Sequence, residues 1–322
     1  MSVPVVLVLT GAHDITADLV VAELNRRNVP VFRCDPGDLP RFLTFDAQLT
    51  EEWQGGLKLP NREVSLAEIG CVYYRRPGNP EYPEFHSEAE RRWAQLEVRK
   101  GFYGVIRCLP NWLNHPHAVE GAEYKPIQLR AAVECGIKVP SSLITNCPEK
   151  AQKFAANHGK VVYKSLGVPT FREGNEIGSI YTRLIDPAEI DDSLRLTLHL
   201  FQEWVPKSYE VRLTVVDDKF FAARIDTDSA EARIDWRSDY DSLRYTAIGV
   251  PADVRASISK LMAKLDLRFS ALDFIVDEDG QWVLVDVNPN GQWSWIEAVA
   301  LPIASAICDS LTSSFHASSS VH

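Results

Sequence analysis

The sequence predicts a mixed α/β protein made of three consecutive units and a short tail. An apolar opening strand, a helix over residues 14–28 and a second strand over 29–35 form a βαβ pattern at the start of the chain. The middle of the chain alternates helices and strands, and the region after about residue 206 is rich in strands. At 322 residues, the chain is long enough for two or three packed subdomains.

The first unit, residues 1–113, is predicted to be an α/β domain. Residues 70–77 are typical of a strand that ends in a charged loop. A long amphipathic helix is predicted over 87–106, because Ser87 followed by Glu90 three residues later forms a capping box. No GxGxxG follows the opening strand, so the pattern does not indicate a dinucleotide site.

The second unit, residues 114–205, is predicted to be a smaller α/β subdomain. Its helix is expected from Glu123 to Gly136, since glycine commonly ends helices, and its strand covers Val161–Lys164. The strand leads into a polar segment that we expect to act as a mobile lid. That segment contains Gly167, Gly174 and Gly178.

The third unit, residues 206–311, is predicted to be an antiparallel sheet. Strands are expected over 209–216 and 220–225, and two further apolar strands meet at a turn within 270–291. The last residues, 312–322, are serine-rich and are predicted to form a flexible tail.

Composition and charge exclude several classes of function. With 34 basic and 44 acidic side chains, the formal charge is −10, which argues against a general nucleic-acid or anionic-membrane surface. No stretch approaches the roughly 20 apolar residues that span a bilayer. The cysteines form no CxxC pair, which disfavours a zinc site or a disulfide framework and favours a reducing cytoplasm. They are Cys34, Cys71, Cys108, Cys135, Cys147 and Cys308.

The hairpin within 270–291 carries the most informative pattern in the chain. If Asp279-Gly280 forms a two-residue type I′ turn, its register places Asp273 directly opposite Asp286. Asn288 follows on the same face. Facing carboxylates repel unless a cation lies between them, and oxygen ligands of this kind suit Mg²⁺ or Mn²⁺. The simpler alternative is a surface hairpin whose acids face water.

Two lysines at element ends are candidates for binding a polyphosphate. Lys125 opens a helix and Lys164 ends a strand just before a glycine-bearing loop, an arrangement that suits two ammonium groups on one anion. Glu210 and Arg212 alternate on one face of a later strand, where they could take ribose hydroxyls and a γ-phosphate. The alternatives are solvated lysines and a surface ion pair.

A short segment before residue 206 is predicted to link two subdomains and to face an adenine ring. It is apolar enough to pack on the ring, and its backbone groups would be free to hydrogen-bond the ring edge. The residues concerned are Gln202, Glu203, Trp204 and Val205.

The order of these features resembles that of the ATP-grasp superfamily over about residues 114–310. The resemblance implies an ATP-grasp fold with an N-terminal α/β pre-ATP-grasp domain, a central small α/β subdomain and a C-terminal antiparallel-sheet subdomain. Most members of the superfamily carry Glu where Asp286 stands. Asp is shorter by one methylene group, but it is still a hard carboxylate ligand.

Further motifs narrow the resemblance. They are Tyr73-Tyr74-Arg75-Arg76-Pro77, Asn111-Trp112-Leu113-Asn114, Glu210-Val211-Arg212, Asp235-Trp236-Arg237 and Asn288-Pro289-Asn290-Gly291-Gln292-Trp293-Ser294-Trp295-Ile296-Glu297. With them the chain resembles the ATP-grasp maturases of ribosomal peptides, the graspetide or microviridin-type macrocyclases. This implies an ADP-forming ligase that phosphorylates an Asp or Glu side chain of a precursor peptide. A Ser or Thr hydroxyl, or a Lys amine, would then close a side-chain ester or amide.

The resemblance also implies roles for individual residues, with ATP and Mg²⁺ as cofactors, two ions being expected and Mn²⁺ a possible substitute. The expected metal ligands are Asp273, Asp286 and Asn288. The expected cofactor-binding residues are Lys125, Lys164, Gln202, Glu203, Trp204, Val205, Glu210 and Arg212. The expected catalytic residues are Lys164, Arg212, Asp235 and Arg237. The expected substrate contacts are Arg75, Arg76, Asp235, Arg237 and Trp293.

The expected partner is a precursor peptide with a leader and an acidic core, and the resemblance implies a homodimer; no nucleic acid or membrane partner is expected. Arg237 would grip the acceptor carboxylate, the alternative being a salt bridge between Asp235 and Arg237. One basic concentration is predicted to attract the acidic core, although a solvated helix face explains part of it equally well. It comprises Arg75, Arg76, Arg91, Arg92, Arg99, Lys100 and Arg107.

Two alternative functions share these residues. A ligase that adds glutamate or another free amino acid to a peptide terminus would use the same nucleotide and metal groups and differ only on the substrate side. The other alternative is an ATP-binding module without catalysis that senses nucleotide or scaffolds a partner. The intact site residues argue against it; they are Lys125, Lys164, Arg212, Asp273, Asp286 and Asn288. The segments Asp235-Trp236-Arg237 and Gly291-Gln292-Trp293 favour macrocyclisation.

Overall fold

The computed structural model of the chain places residues 4–80, 82, 87–167, 170–173, 176–296 and 301–317 in three units that meet at a large cavity. Among the residues described, no helix combines the length and apolar character needed to cross a bilayer.

The first unit is an α/β domain with a parallel sheet. Its elements are β1 (Val5–Leu9), α1 (Ile15–Arg26), β2 (Val31–Cys34), β3 (Thr44–Leu49), β4 (Trp53–Leu59), β5 (Arg62–Ser65), β6 (Ile69–Tyr74), α2 (Glu88–Ile106) and β7 (Trp112–Leu113). The parallel sheet has the order β2-β1-β6-β7, and β3 to β5 form a separate antiparallel sheet. The βαβ opening is confirmed, with Asp14 capping α1. The capping box of α2, made by Ser87 and Glu90, is confirmed as well.

The second unit is a small α/β subdomain. Its elements are α3 (Pro116–Ala122), α4 (Lys125–Glu134), β8 (Ser142–Thr145), α5 (Pro148–His158), β9 (Val161–Lys164), β10 (Thr170–Glu173), β11 (Glu176–Ser179), β12 (Arg183–Ile185) and β13 (His199–Glu203). Its main sheet has the order β12-β9-β13-β8. The helix expected from Glu123 begins at Lys125, where Pro126 fits the first turn. The expected lid segment contains the β10–β11 hairpin, and Gly174 lies outside the described residues.

The third unit is an antiparallel sheet flanked by helices. Its elements are β14 (Tyr209–Val216), β15 (Lys219–Thr227), β16 (Leu243–Ile248), α6 (Ala252–Lys264), β17 (Phe269–Val276), β18 (Trp282–Asn288) and α7 (Ile303–Ala317). The sheet order is β16-β15-β14-β17-β18. A flexible tail from residue 312 is wrong for residues 312–317, because α7 continues to Ala317 and Phe315 packs against the core.

Two large hydrophobic cores fix the third sheet on both faces. One core joins the first and third units and contains Leu24 of α1, Phe269 of β17 and Ile307 of α7. The other core lies between the sheet and helices α4 and α6, and it contains Ala132 and Leu272. A smaller core lies within the second unit. Because the sheet is packed on both sides, the strand ends that reach the cavity are held rigidly.

The turn of the acidic hairpin differs from the predicted two-residue turn. Asp277 and Gln281 are hydrogen-bonded through their backbones at 3.1 Å, which leaves a three-residue loop over 278–280. Gly280 has a φ of 77°, a value that glycine adopts without steric cost. A three-residue loop with a left-handed glycine is a common way to join antiparallel strands.

A β-bulge restores the predicted register deeper in the same hairpin. Phe274 pairs with Leu284, and Asp273 pairs with Asp286, so Val285 is the extra residue of β18. The bulge compensates for the longer loop. Asp273 and Asp286 are therefore directly opposite, as the sequence predicts, although two local features differ.

Candidate active site

A cavity of about 800 Å³ lies where the three units meet. Its walls come from the end of β6, from α3 and α4, from β9, from the segment after β13, and from β17 and β18. All predicted site residues line the cavity except Arg212 and Trp293. Those that line it are Arg75, Arg76, Lys125, Lys164, Gln202, Glu203, Trp204, Val205, Glu210, Asp235, Arg237, Asp273, Asp286 and Asn288.

The two opposed carboxylates are each paired with a cation from another element. Asp273 accepts a hydrogen bond from Nη1 of Arg212 at 2.8 Å, and Asp286 accepts one from Nζ of Lys125 at 2.6 Å. Burial alone would raise the pKa of Asp286, but the charges of Lys125 and Lys164 hold it below its usual value. Asp286 therefore faces the cavity as an anion, and Asp273 lines the same cavity opposite it.

The side-chain amide of Asn288 completes the donor set that the sequence predicts. Asn288 ends β18 and is two residues beyond Asp286. Within the described part of the chain, its side chain makes no hydrogen bond, and the second carboxylate oxygens of Asp273 and Asp286 make none either. No cluster of three or more His, Cys, Asp or Glu suited to a metal occurs among the described residues, so two carboxylates and an amide are the donor set here.

Lys164 lies close to the acidic pair. Its Nζ donates to the carbonyl of Val285, the bulged residue of β18, at 3.2 Å. Burial lowers the pKa of Lys164 to about 8; Lys125 and Arg237 act in the same direction, whereas Asp286 opposes them. The side chain is therefore charged at neutral pH but near the range in which it loses its proton.

The segment after β13 forms the wall that the sequence assigns to an adenine. The backbone N–H groups of Glu203 and Trp204 each bond to a carbonyl of a neighbouring segment at 2.9 Å. Among the described residues, the N–H of Val205 has no backbone partner, and the buried Oε1 of Gln202 has no donor. One donor and one acceptor are thus left for a ligand.

Glu210 on β14 is paired with Lys207, a residue that the sequence analysis did not single out. Lys207 donates to Oε1 of Glu210, and its Nζ lies 5.5 Å from the ring centroid of Trp204. Burial raises the pKa of Glu210, and Lys207 opposes that shift. The alternative of a surface ion pair between Glu210 and Arg212 is wrong, because both side chains are buried and each has another partner.

Asp235 and Arg237 form a bidentate salt bridge. Such a salt bridge was the alternative to the prediction that Arg237 grips the acceptor carboxylate of the substrate. Nε and Nη2 of Arg237 donate to the two carboxylate oxygens of Asp235 at 2.8 Å each, and the backbone N–H of Thr182 donates to Asp235 at 3.0 Å. Burial alone would raise the pKa of Asp235, but Arg237 lowers it overall. The pair lines the cavity, so Asp235 orients the guanidinium there.

Two predicted residues lie outside the cavity wall. Arg212 is buried behind Asp273 and uses Nη2 to bind the carbonyl of Gln292 at 2.9 Å. The prediction that Trp293 contacts the substrate is wrong for this structure, because its indole is fully buried in the core shared by the first and third units. Sequence alone could not separate a buried aromatic residue from one that lines a site.

The two consecutive arginines at the end of β6 have different environments. Arg76 is exposed and lines the cavity, as expected of a substrate contact. The side chain of Arg75 has 0% exposure and bonds to backbone carbonyls of the third unit, so a direct substrate contact is wrong for Arg75. Part of the basic concentration on α2 is a solvated face, since Arg92 pairs with Glu88 at 3.0 Å.

Gln128 is another functional candidate that the sequence analysis missed. Its buried Nε2 donates to the carbonyl of Val287 at 2.7 Å, and this bond joins α4 to β18 between Asp286 and Asn288. The residue therefore supports the strand that carries both groups. A polar side chain inside a predicted helix gives no sequence signal of such a contact.

Comparison with known proteins agrees with this geometry. Residues 5–120 match the family model of the MvdD pre-ATP grasp domain. A solved RiPP-associated ATP-grasp ligase of Chryseobacterium gregarium, in complex with ADP and a leader and core peptide, is 25% identical, with 97% of each chain covered and a TM-score of 0.89. RiPP denotes a ribosomally made and subsequently modified peptide. The chain is therefore similar to RiPP-associated ATP-grasp ligases over nearly its whole length.

Other solved structures extend this similarity. The macrocyclase MdnB of Microcystis aeruginosa MRC is 28% identical over 96% of this chain and 99% of its own, with a TM-score of 0.80. The macrocyclase MdnC of the same organism, bound with the precursor peptide MdnA, has a TM-score of 0.86 at 24% identity over 96% and 99%, and shows the same fold. No curated protein matches in sequence. The predicted ATP-grasp fold is thereby confirmed.

Proposed function

We propose that this ATP-grasp ligase activates Asp or Glu side chains of a ribosomal precursor peptide and closes side-chain ester or amide rings. The observation that carries the proposal is the cavity itself. It brings together the acidic pair with its flanking lysines, the segment over 202–205 with its free polar groups, and the salt bridge between Arg237 and Asp235. The family, and the complexes of its members with ADP and with leader and core peptides, support this assignment.

The segment over 202–205 forms the side of the cavity that suits the nucleoside. The free N–H of Val205 and the free Oε1 of Gln202 can pair with the edge of adenine, and Trp204 adds apolar surface. Glu210 can accept hydrogen bonds from ribose hydroxyls, with Lys207 as its counter-ion. Lys125 and Lys164 line the same cavity beside Asp286 and would bind the phosphates of the nucleotide.

The acidic hairpin suits Mg²⁺, and two ions are expected. Asp273, Asp286 and Asn288 each keep one oxygen without a hydrogen bond, and hard oxygen donors are what Mg²⁺ requires. When bound, Mg²⁺ would neutralise phosphate charge and make the γ-phosphorus more electrophilic. The ammonium group of Lys125 is hydrogen-bonded to Asp286 in this structure. We therefore expect Lys125 to move toward the phosphates when nucleotide and metal bind.

The chemistry then proceeds in two steps with defined leaving groups. A peptide carboxylate, held by Arg237 or Arg76, attacks the γ-phosphorus of ATP, and ADP leaves. A hydroxyl or amine of the peptide next attacks the acyl carbon, and phosphate leaves together with one proton. Lys164 offsets the charge that accumulates during phosphoryl transfer. The sum is the loss of one water per ring from the peptide.

The test is the intact mass of a precursor peptide with an acidic, Thr-containing core, incubated with the protein, ATP and Mg²⁺. We expect ATP-dependent loss of one or more waters, together with release of ADP. Gain of an amino-acid residue mass would instead identify a ligase that adds free amino acids, and binding of ATP without any turnover of peptide would identify a scaffold.

A matched pair of variants locates the chemistry. Asp286→Asn removes a carboxylate of the acidic pair and should reduce turnover by at least about 100-fold. Asp277→Asn changes an acid of the same hairpin that pairs with Lys138 and does not line the cavity, so turnover should stay close to that of the unmodified protein. If the two changes reduced turnover equally, the assignment of Asp286 to the metal site would be wrong.

A further inference from the structure

Residues 289–292, here called the arginine-held loop, connect the acidic hairpin to the rest of the third unit. Arginines from two different units bind three consecutive carbonyl oxygens of this loop. Nη1 of Arg75, from the first unit, and Nη2 of Arg212, from the third, are the donors. The acceptors are Asn290 at 3.2 Å, Gly291 at 3.4 Å and Gln292 at 2.9 Å. The loop follows directly on the last residue of β18, so its position determines where that strand ends.

The arginine-held loop has no space in which to shift toward the sheet. A Cβ atom at Gly291 would lie 2.4 Å from the Cβ of Ala271 and 2.9 Å from Nη2 of Arg212. Thr16, near the start of α1, donates to the side chain of Gln292 and adds a second link from the first unit. The first unit therefore holds the loop from one side while β17 limits it on the other.

Arg75 is among the residues that line the cavity, but its side chain is buried and bonds within the protein. Its side chain has 0% exposure, and its Nε lies 3.5 Å from Oδ2 of Asp14, which is 4% exposed. Asp14 is itself fixed, since Oγ1 of Thr10 donates to it at 2.8 Å and it caps α1 at Ala17. Nε and Nη2 of Arg75 have no hydrogen-bond partner within the described residues. A buried charge that is only partly satisfied is costly, which a purely structural contact would not require.

We propose that Arg75, with Asp14 as its counter-ion, is a positioning residue that uses the first unit to hold the arginine-held loop, and thereby the side chain of Asn288, in the orientation that a metal-bound nucleotide needs. The first step, from Arg75 to the loop, depends only on the contacts described. The last step, from the loop to nucleotide and metal, rests on the proposed function.

Hydrogen exchange tests the first step without any ligand. In Arg75→Met, amides of residues 288–296 should exchange at least about tenfold faster, while those of β9 and β13 keep their rates. Arg75→Lys should give an intermediate exchange rate, because its ammonium group lacks the several donors of the guanidinium group but still reaches one carbonyl oxygen. Arg27→Met is the matched control, since Arg27 also joins the first and third units but binds Ser305 and Asp309 instead of the loop. Unchanged exchange at 288–296 in Arg75→Met would overturn the proposal.

Binding of ADP tests the second step. We expect Arg75→Met to leave the affinity for ADP without metal within about twofold and to raise the Mg²⁺ concentration for half-maximal tightening at least about tenfold. Gly291→Ala should reproduce this pattern by displacing the loop directly, and Arg27→Met should not. A raised KM for peptide with normal metal dependence would overturn the proposal and make Arg75 a substrate contact.

The two proposals fail in different ways. If the unmodified protein bound neither ADP nor Mg²⁺, the proposed function would fall, while hydrogen exchange would still decide whether Arg75 holds the loop. If Arg75→Met did not fold, Arg75→Lys and Gly291→Ala would carry both measurements.

Discussion

At the scale of single residues, the protonation of Lys164 links nucleotide affinity to pH. Its folded-state pKa of about 8 lies below the value of about 10.4 expected in the unfolded chain. The charged form binds polyphosphate, so the Kd for Mg–ADP should rise about three- to tenfold between pH 7 and 9. In Lys164→Arg, whose guanidinium group stays charged over this range, calorimetric titrations should give a flat profile.

The same shift sets the sign of the effect of Lys164 on stability. Between about pH 8 and 10.4 the unfolded chain binds more protons than the folded one, so the free energy of unfolding contributed by this residue rises with pH in that window. Denaturant unfolding without nucleotide at pH 7.5 and 9.5 measures it. A larger rise in Lys164→Arg than in the unmodified protein would contradict the assignment.

Arg237 is proposed to hold the peptide carboxylate, so its loss should separate peptide chemistry from nucleotide binding. Arg237→Lys keeps a positive charge beside Asp235 but lacks the second donor, and we expect a loss of ring closure of at least about 30-fold with ADP affinity within twofold. Arg244→Lys, in an exposed pair with Asp228, is the control and should change neither quantity. A parallel loss of ADP affinity would place Arg237 at the phosphates.

At the scale of elements, the turn of the acidic hairpin should affect stability but not chemistry. Gly280→Ala forces a side chain into a φ of 77° and should lower the free energy of unfolding by about 1 kcal/mol. Turnover should persist, because the bulge at Val285 and the pairing of Asp273 with Asp286 lie deeper in the sheet. Gly104→Ala, in the last turn of α2 with open space around the added Cβ, should raise stability by up to about 1 kcal/mol.

The same hairpin shows what local sequence can and cannot predict. Alternating apolar residues and an Asp-Gly pair predict two paired strands, and they correctly place Asp273 opposite Asp286. Local sequence does not predict the three-residue loop or the bulge at Val285. The bulge involves a contact from another unit, since Lys164 donates a hydrogen bond to the carbonyl of Val285. Local sequence does not predict burial either. The consecutive arginines Arg75 and Arg76 are visible in the sequence, but only packing between units makes Arg75 buried and Arg76 exposed.

At the scale of the whole molecule, the distribution of cores determines which units are stabilised together. The core that contains Leu311 includes residues of both the first and third units, whereas the core around Ile190 contains residues of the second unit alone. Asp273 and Asp286 on the third sheet therefore share their stability with the first unit. Helix α4 of the second unit packs against the third sheet, whereas the sheet that carries Lys164 has the separate core around Ile190, so we expect that sheet to open with its own free energy. A homodimer would add contacts that stabilise the units further. Dimerisation is a proposal, and sedimentation would test it.

This arrangement predicts how cavity-creating substitutions spread. Leu311→Ala in α7 should cost about 2–4 kcal/mol and should accelerate hydrogen exchange in β1 and β14 alike, because both strands lie in sheets that this core holds together. Ile190→Ala should instead accelerate exchange in β9 and β13 and leave β1 and β14 near their original rates. Equal acceleration of all four strands by both variants would mean that the three units unfold as one. In that case opening of the second unit could not admit nucleotide independently, and access to the cavity would need a movement smaller than unfolding.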